Sequence, residues 1–139
     1  MHKINYWAVL VTIIVTFITS AVWYAALSTQ YFELLGVNPS DAAGLSVEQI
    51  LVILGRHLVV TLVIAYLLVS LGVNTLKRGL VIGFLLWLAF PAVLLVGSVS
   101  SDNVPVMLAA IHAGDWLIKL LLIVSILVLW PKKKQKHQS

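Results

Sequence analysis

Five ionisable side chains stand inside stretches that are otherwise apolar: Arg56 and His57 in ILVILGRHLVVTLVIAYLLV, and His112, Asp115 and Lys119 in MLAAIHAGDWLIKLLLIVSILVLW. On a helix, His112 and Lys119 lie roughly 60° and 40° to either side of Asp115, so the three share one stripe. A charge at the centre of a bilayer costs about 2.5 to 3.5 kcal/mol, so such groups turn toward the bundle interior and pair. At 1.5 Å per residue from the outer helix ends, His112 stands at roughly 8 Å, Asp115 at about 12 Å, Lys119 at about 18 Å, and Arg56 with His57 at about 14 Å. These depths predict that Asp115 bridges Arg56 across helices and Lys119 along its own helix, with the acid N-terminal at the favoured i,i+4 spacing.

Two cations against one carboxylate leave an imbalance, met by a neutral lysine or histidine or by an anion that enters the site. The chemistry open to Arg56, His57, His112, Asp115 and Lys119 is therefore the handling of protons or a small anion, as in a transporter or channel-like protein. Thr16, Ser20, Trp23 and Tyr24 of the first apolar stretch, with Trp116 of the last, are the candidate lining. The plainer alternative is an accessory or structural membrane subunit whose polar cluster only holds helices in register. A third reading takes His57 and His112 as axial haem ligands, or with Asp115 as a metal triad. No cofactor is otherwise expected, and no nucleophile motif, phosphate loop or carboxylate pair points to an enzyme.

The elements that must position these groups follow from composition. Of 139 residues, 61% are hydrophobic and only 10% charged, against about 25% charged in soluble domains. Mean hydropathy is +1.06. With no cysteine there is no disulfide framework and no thiolate site. The net charge of +4 does not make a nucleic-acid binder, since no folded polar face is left to carry a basic patch.

Four stretches are long enough to cross roughly 30 Å of hydrocarbon as helices: about 6–27, 47–71, 80–99 and 107–130. The expected fold is thus an all-α, four-span membrane bundle in one domain, with a basic tail at 131–139. The first stretch is longer than the apolar core of a signal peptide and lacks a clean cleavage site, so it is read as a retained span.

Ser46 and Gln49 have the spacing of a capping box and start the second span. Asn103 is placed to cap the fourth, with Pro105 in its first turn. VNTLKRG is only a turn, and Pro91 should kink the third span by freeing the carbonyl of Trp87. The longer connection between spans one and two, with a short interfacial helix around Tyr31–Leu35 ending at Gly36 and a fresh helix start or a turn at Asn38–Asp41, lies as a surface loop or as a lid. Small residues four apart at Thr16 and Ser20, Gly79 and Gly83, and Ala110 and Gly114 suit close helix packing. Lys3, Lys77, Arg78 and the tail lysines all fall on one side of a four-span chain, which puts both termini in the cytoplasm. The tail adds attraction to anionic lipid, and so small a bundle is expected to form homo-oligomers.

Beyond these readings, INYWAVLV and AVWY in the first span, GLVIGFLLWLAFP in the third and IHAGDWLIKLLLI in the fourth are together similar to the bacterial membrane family called domain of unknown function 1761. The likeness covers nearly the whole chain and is carried most by the last motif. It implies a four-helix inner-membrane protein, with Trp23, Tyr24, Gly114, Asp115 and Trp116 at matching positions, and it implies no activity. Here AALSTQYF follows Trp23–Tyr24, where the family continues with Ser-Pro and an aromatic residue.

Overall fold

The computed structural model describes residues 4–38, 40 and 44–130. Lys3, Pro39, Asp41 and the tail 131–139, on which parts of the orientation and loop readings rest, lie outside the described residues. Every regular element among the described residues is helical.

Helix α1 (Tyr6–Ala26) starts at Asn5, whose side-chain oxygen accepts from the backbone of Trp7 and Ala8, two donors with no partner inside the helix. One irregular residue, Leu27, separates it from α2 (Ser28–Leu35), the short helix of the long connection. Gly36 closes α2 with φ 67°, a left-handed conformation that glycine adopts at no steric cost. Helix α3 (Val47–Ser70) opens with the capping box: Gln49 N–H donates to Ser46 Oγ at 3.2 Å, and Ser46 N–H donates to Gln49 Oε1 at 2.9 Å.

The third span is one rod, Leu76–Ser101, built of α4 (Leu76–Trp87), a π-helical turn at Leu88–Ala92 and α5 (Val93–Ser101). Pro91 explains the irregular turn. Its ring cannot donate and collides with the carbonyl one turn back, and here the helix widens to absorb the misfit. Helix α6 (Val106–Leu129) is preceded by Pro105 with no side-chain cap. Asn103 does not cap it. Its φ of 54° puts it in the left-handed region, where asparagine is among the few tolerated side chains, and it turns the chain between α5 and α6 instead.

Four helices are long and apolar enough to cross a membrane: Tyr6–Ala26, Val47–Ser70, Leu76–Ser101 and Val106–Leu129. Their outer faces expose Leu10, Ile14, Ile18, Val59, Val63, Leu94 and Val96, which is what a bilayer rather than water would cover. Helix α6 is the centre, packed against every other element, and α1 also lies on α3.

The bundle divides into two halves along α6. In the lower half, containing the ends of α3 and α6, Ile64, Leu68, Leu120, Ile123 and Val124 form an apolar core. There α4 approaches α6 closely because Gly79 and Gly83 present no side chain. A Cβ at Gly79 would stand 3.0 Å from Val128 Cγ2, and one at Gly83 3.1 Å from Val124 Cγ2. The upper half, containing the end of α1 and the starts of α3 and α6, holds the buried ion pair with His57 and His112.

Candidate functional site

The polar column is built from α6 outward. Asp115 and Lys119 are 6% and 7% exposed, and Lys119 Nζ donates to Asp115 Oδ2 at 2.9 Å. This i,i+4 ion pair is the one expected along the helix. The expected bridge from Asp115 to Arg56 does not form. The other carboxylate oxygen, Oδ1, accepts from Ser20 Oγ of α1 at 2.5 Å. Ser20 is thus the cross-helix partner, because α1 rather than α3 presents a donor to that oxygen.

Arg56 lies on the exposed side of α3, and its guanidinium stands 5.9 Å from the centre of the Trp116 ring. Lys119 Nζ lies 4.6 Å from the same ring. Both cations thus meet the negative face of one indole, a contact that strengthens when water is excluded. The charge imbalance expected from the sequence is therefore divided. Lys119 is matched by Asp115 inside the bundle, and Arg56 is left at its surface.

One turn toward the top of α6, His112 is half-buried and its Nδ1 lies 2.7 Å from the Tyr24 hydroxyl. Tyr31 of α2 closes the column from above, its ring 5.3 Å from Tyr24 and 5.9 Å from His112, both nearly edge to face. The break at Leu27 is what makes these contacts possible. Without it α1 would run on past the bundle, and Tyr31 would not fold back over His112.

Two tryptophans fix the backbone around this column. Trp23 Nε1 donates to Ile111 O at 3.0 Å and Trp87 Nε1 to Ala113 O at 2.9 Å. The Trp23 indole fits only because residue 114 is glycine, since a Cβ there would stand 2.6 Å from Trp23 Cζ2. The Ala110 and Gly114 pair expected to pack a helix therefore serves otherwise: Ala110 is exposed and Gly114 receives a side chain.

Below Asp115 the column continues in hydroxyls. Thr16 is fully buried and donates back to Thr12 O at 2.8 Å, while Thr12 donates to Ala8 O at 2.7 Å. On α3, His57 is 5% exposed and its Nδ1 lies 2.8 Å from Ile53 O, so that nitrogen carries the proton. Its Nε2 and the hydroxyl of Thr61 one turn below are buried with no hydrogen-bond partner among the described residues. His57 and His112 thus face different partners, and among the described residues no three His, Asp or Glu side chains gather as a metal set.

Each of the ten candidate residues therefore has a place. Asp115, Lys119, Ser20 and Trp116 come together; Tyr24 and His112 pair above them; Trp23 braces the backbone beside them; Thr16 is buried in α1 and bonds to its own helix; His57 lies on α3 against Phe17, and Arg56 lies outside. Sequence reasoning missed Tyr31 as part of the column, and also Thr61 and Trp87. Thr61 was readable as a hydroxyl one turn from His57 on the same face. Nothing in the sequence links Trp87 to the backbone at Ala113.

Compared with known proteins, residues 7–128 match a family model described as protein of unknown function (DUF1761). No curated protein and no solved structure matches the chain.

Proposed function

The chain belongs to the DUF1761 family of proteins of unknown function, and from its own site we propose that it is a membrane protein that binds and passes protons at Asp115. The observation that carries this is the buried Asp115–Lys119 pair, tied to α1 through Ser20 and overlain by half-buried His112 and Tyr24. A carboxylate held by one ammonium and one hydroxyl can take up a proton, and doing so cancels the charge that Lys119 faces. Lys119 then loses its counter-charge, while Ser20 can still hydrogen-bond the neutral carboxyl, so proton binding at Asp115 is coupled to the position of Lys119. Protons are favoured over an anion because Lys119 is already neutralised and Arg56 lies outside the cluster.

In this reading both termini are cytoplasmic and the membrane is a bacterial inner membrane, so the polar half faces the outside. The apolar core below Lys119 means that passage needs a rearrangement, not an open pore. The test is proton flux into liposomes loaded with a pH-sensitive dye. Wild type should carry flux that Asp115→Asn abolishes while keeping its helical spectrum and elution volume. Absence of flux in wild type overturns the proposal.

A second reading has its own support. Both Asp115 oxygens are satisfied, and the Trp23 and Trp87 clamps flank the pair, as in a cluster that serves only to fix packing. It expects the neutral pair Asp115→Asn with Lys119→Met to leave every activity of the protein in its host unchanged. The proton reading expects that double variant to be folded and inactive.

A further inference from the structure

Of the three charged side chains deep within the spans, Arg56, Asp115 and Lys119, Arg56 is the one with no opposite charge beside it among the described residues. It sits exposed on α3, and among the described residues it has neither a hydrogen bond nor an ion pair, the single salt bridge being Lys119–Asp115. The Trp116 ring at 5.9 Å holds the guanidinium in place without neutralising it. At 1.5 Å per residue its Cα lies about 14 Å below Val47. Helical Cα–Cβ bonds lean toward the N-terminus, so an arginine released from the Trp116 ring would reach upward along α3 toward the interface.

The surface above it is shaped. A shallow groove of about 260 Å³ is lined by Leu45, Glu48, Gln49, Val52 and Ile53. Glu48, Val52 and Arg56 are spaced i, i+4 and i+8, so Arg56 leaves α3 on the same stripe as two residues of the groove, one turn below it. Along that stripe the order from the deep end outward is a cation, apolar side chains, then a carboxylate beside an amide. Exposed Val59 and Val63 continue α3's apolar surface below.

We propose that this stripe is a binding site for an aminophospholipid of the phosphatidylethanolamine type. Its phosphate is held by the Arg56 guanidinium, its ammonium by Glu48 with Gln49, and its acyl chains lie on the exposed apolar face of α3. Charge complementarity selects this occupant. A zwitterionic headgroup has its phosphate deeper and its amine outward, matching Arg56 below and Glu48 above. Guanidinium is also the side chain that binds phosphate through two parallel N–H donors.

A second copy of the chain fits less well. Asp115 is buried, and the remaining described acids, Glu33, Glu48 and Asp102, lie in α2, the first turn of α3 and the end of α5, not at the depth of Arg56.

The test measures retained lipid by native mass spectrometry after exchange into mixed micelles holding equal phosphatidylethanolamine, phosphatidylglycerol and phosphatidylcholine. Wild type should retain phosphatidylethanolamine preferentially. Arg56→Leu should reduce that retention about tenfold, the scale of one lost charge-assisted contact. Arg56→Lys guards against misfolding: it keeps the charge and should retain the lipid more weakly than wild type. Glu48→Gln, at an exposed position, should leave phosphate binding intact and bring phosphatidylethanolamine and phosphatidylglycerol to near-equal retention.

Unchanged retention in Arg56→Leu overturns the site, and an unchanged preference in Glu48→Gln overturns the amine assignment. Displacement of the lipid by millimolar inorganic phosphate would show a free-anion site instead. Because the chain has no cysteine, Arg56→Cys gives a single thiol. Efficient disulfide cross-linking between copies at that position would show that protein, not lipid, covers it.

Discussion

The two halves of α6 are held by different physics. Below Lys119, Leu120, Val124 and Val128 pack against Gly79 and Gly83, and contact there is a matter of shape, because lipid offers apolar side chains nearly the same environment as protein does. Above it, the same helix is held by an ion pair, a serine and two indole N–H groups reaching carbonyls. Partners for polar groups are scarce in hydrocarbon, so the serine and the two indoles each tie α6 to a particular neighbour, while the ion pair neutralises charge within α6 itself. The lower half therefore supplies tightness and the upper half supplies register and chemistry.

The difference between the halves should show most strongly at Asp115. Asp115→Ala strands the Lys119 ammonium in a buried site and should cost about 3 to 5 kcal/mol. Reversible unfolding in mixed micelles, followed by tryptophan fluorescence, measures this. Adding Lys119→Met should recover at least half of the loss, and failure to recover would mean that Asp115 acts mainly through Ser20. Gly83→Val probes the lower half: its Cβ would stand 3.1 Å from Val124 Cγ2, and separating α4 from α6 should cost about 1 to 3 kcal/mol in the same assay. A loss larger than that of Asp115→Ala would reverse the ranking of the two halves.

Gly114→Ala should come next, at about 1 to 2 kcal/mol, because the Trp23 indole must leave its place and its bond to Ile111 O. Trp23→Phe in the same chain should remove most of the added cost, since the smaller ring clears the new methyl group. Strict additivity of the two changes would show that residue 114 and Trp23 do not touch in the membrane. The smallest effect is expected at Thr61. Thr61→Val replaces a buried hydroxyl that has no partner among the described residues with a group of similar shape and should shift stability by no more than about 0.5 kcal/mol. A loss above about 1 kcal/mol would mean that the hydroxyl has a partner when the protein is in lipid.

Part of the contrast between the halves is legible in the sequence. The Asp115–Lys119 pair and the Gly79 and Gly83 stripe are local patterns, set by residues four apart on one helix, and helical geometry alone brings such groups together. The Ser46–Gln49 capping box and the Gly36 stop are legible for the same reason. The outward turn of Arg56 is not. Spacing puts it at the depth of Asp115, but which side of α3 faces inward depends on how α1 and α6 pack on it, and packing turns His57 inward and Arg56 outward. Asn103 shows the same limit on a smaller scale: its type suits both a cap and a left-handed turn, and the direction of the chain from α5 into α6 selects the turn.

By itself, then, the sequence determined the membrane character, the four helical spans, the capping box of α3 and the ion pair within α6, because each rests on composition or on the fixed rise and rotation of one helix. Tertiary structure alone decided that Ser20 completes the Asp115 carboxylate, that Tyr31 folds over His112 and Tyr24, that Trp23 fills the space left by Gly114, and that Arg56 faces outward. Those contacts join residues of different helices. The rotation of each helix about its axis is set by the packing of the whole bundle, which no single span encodes.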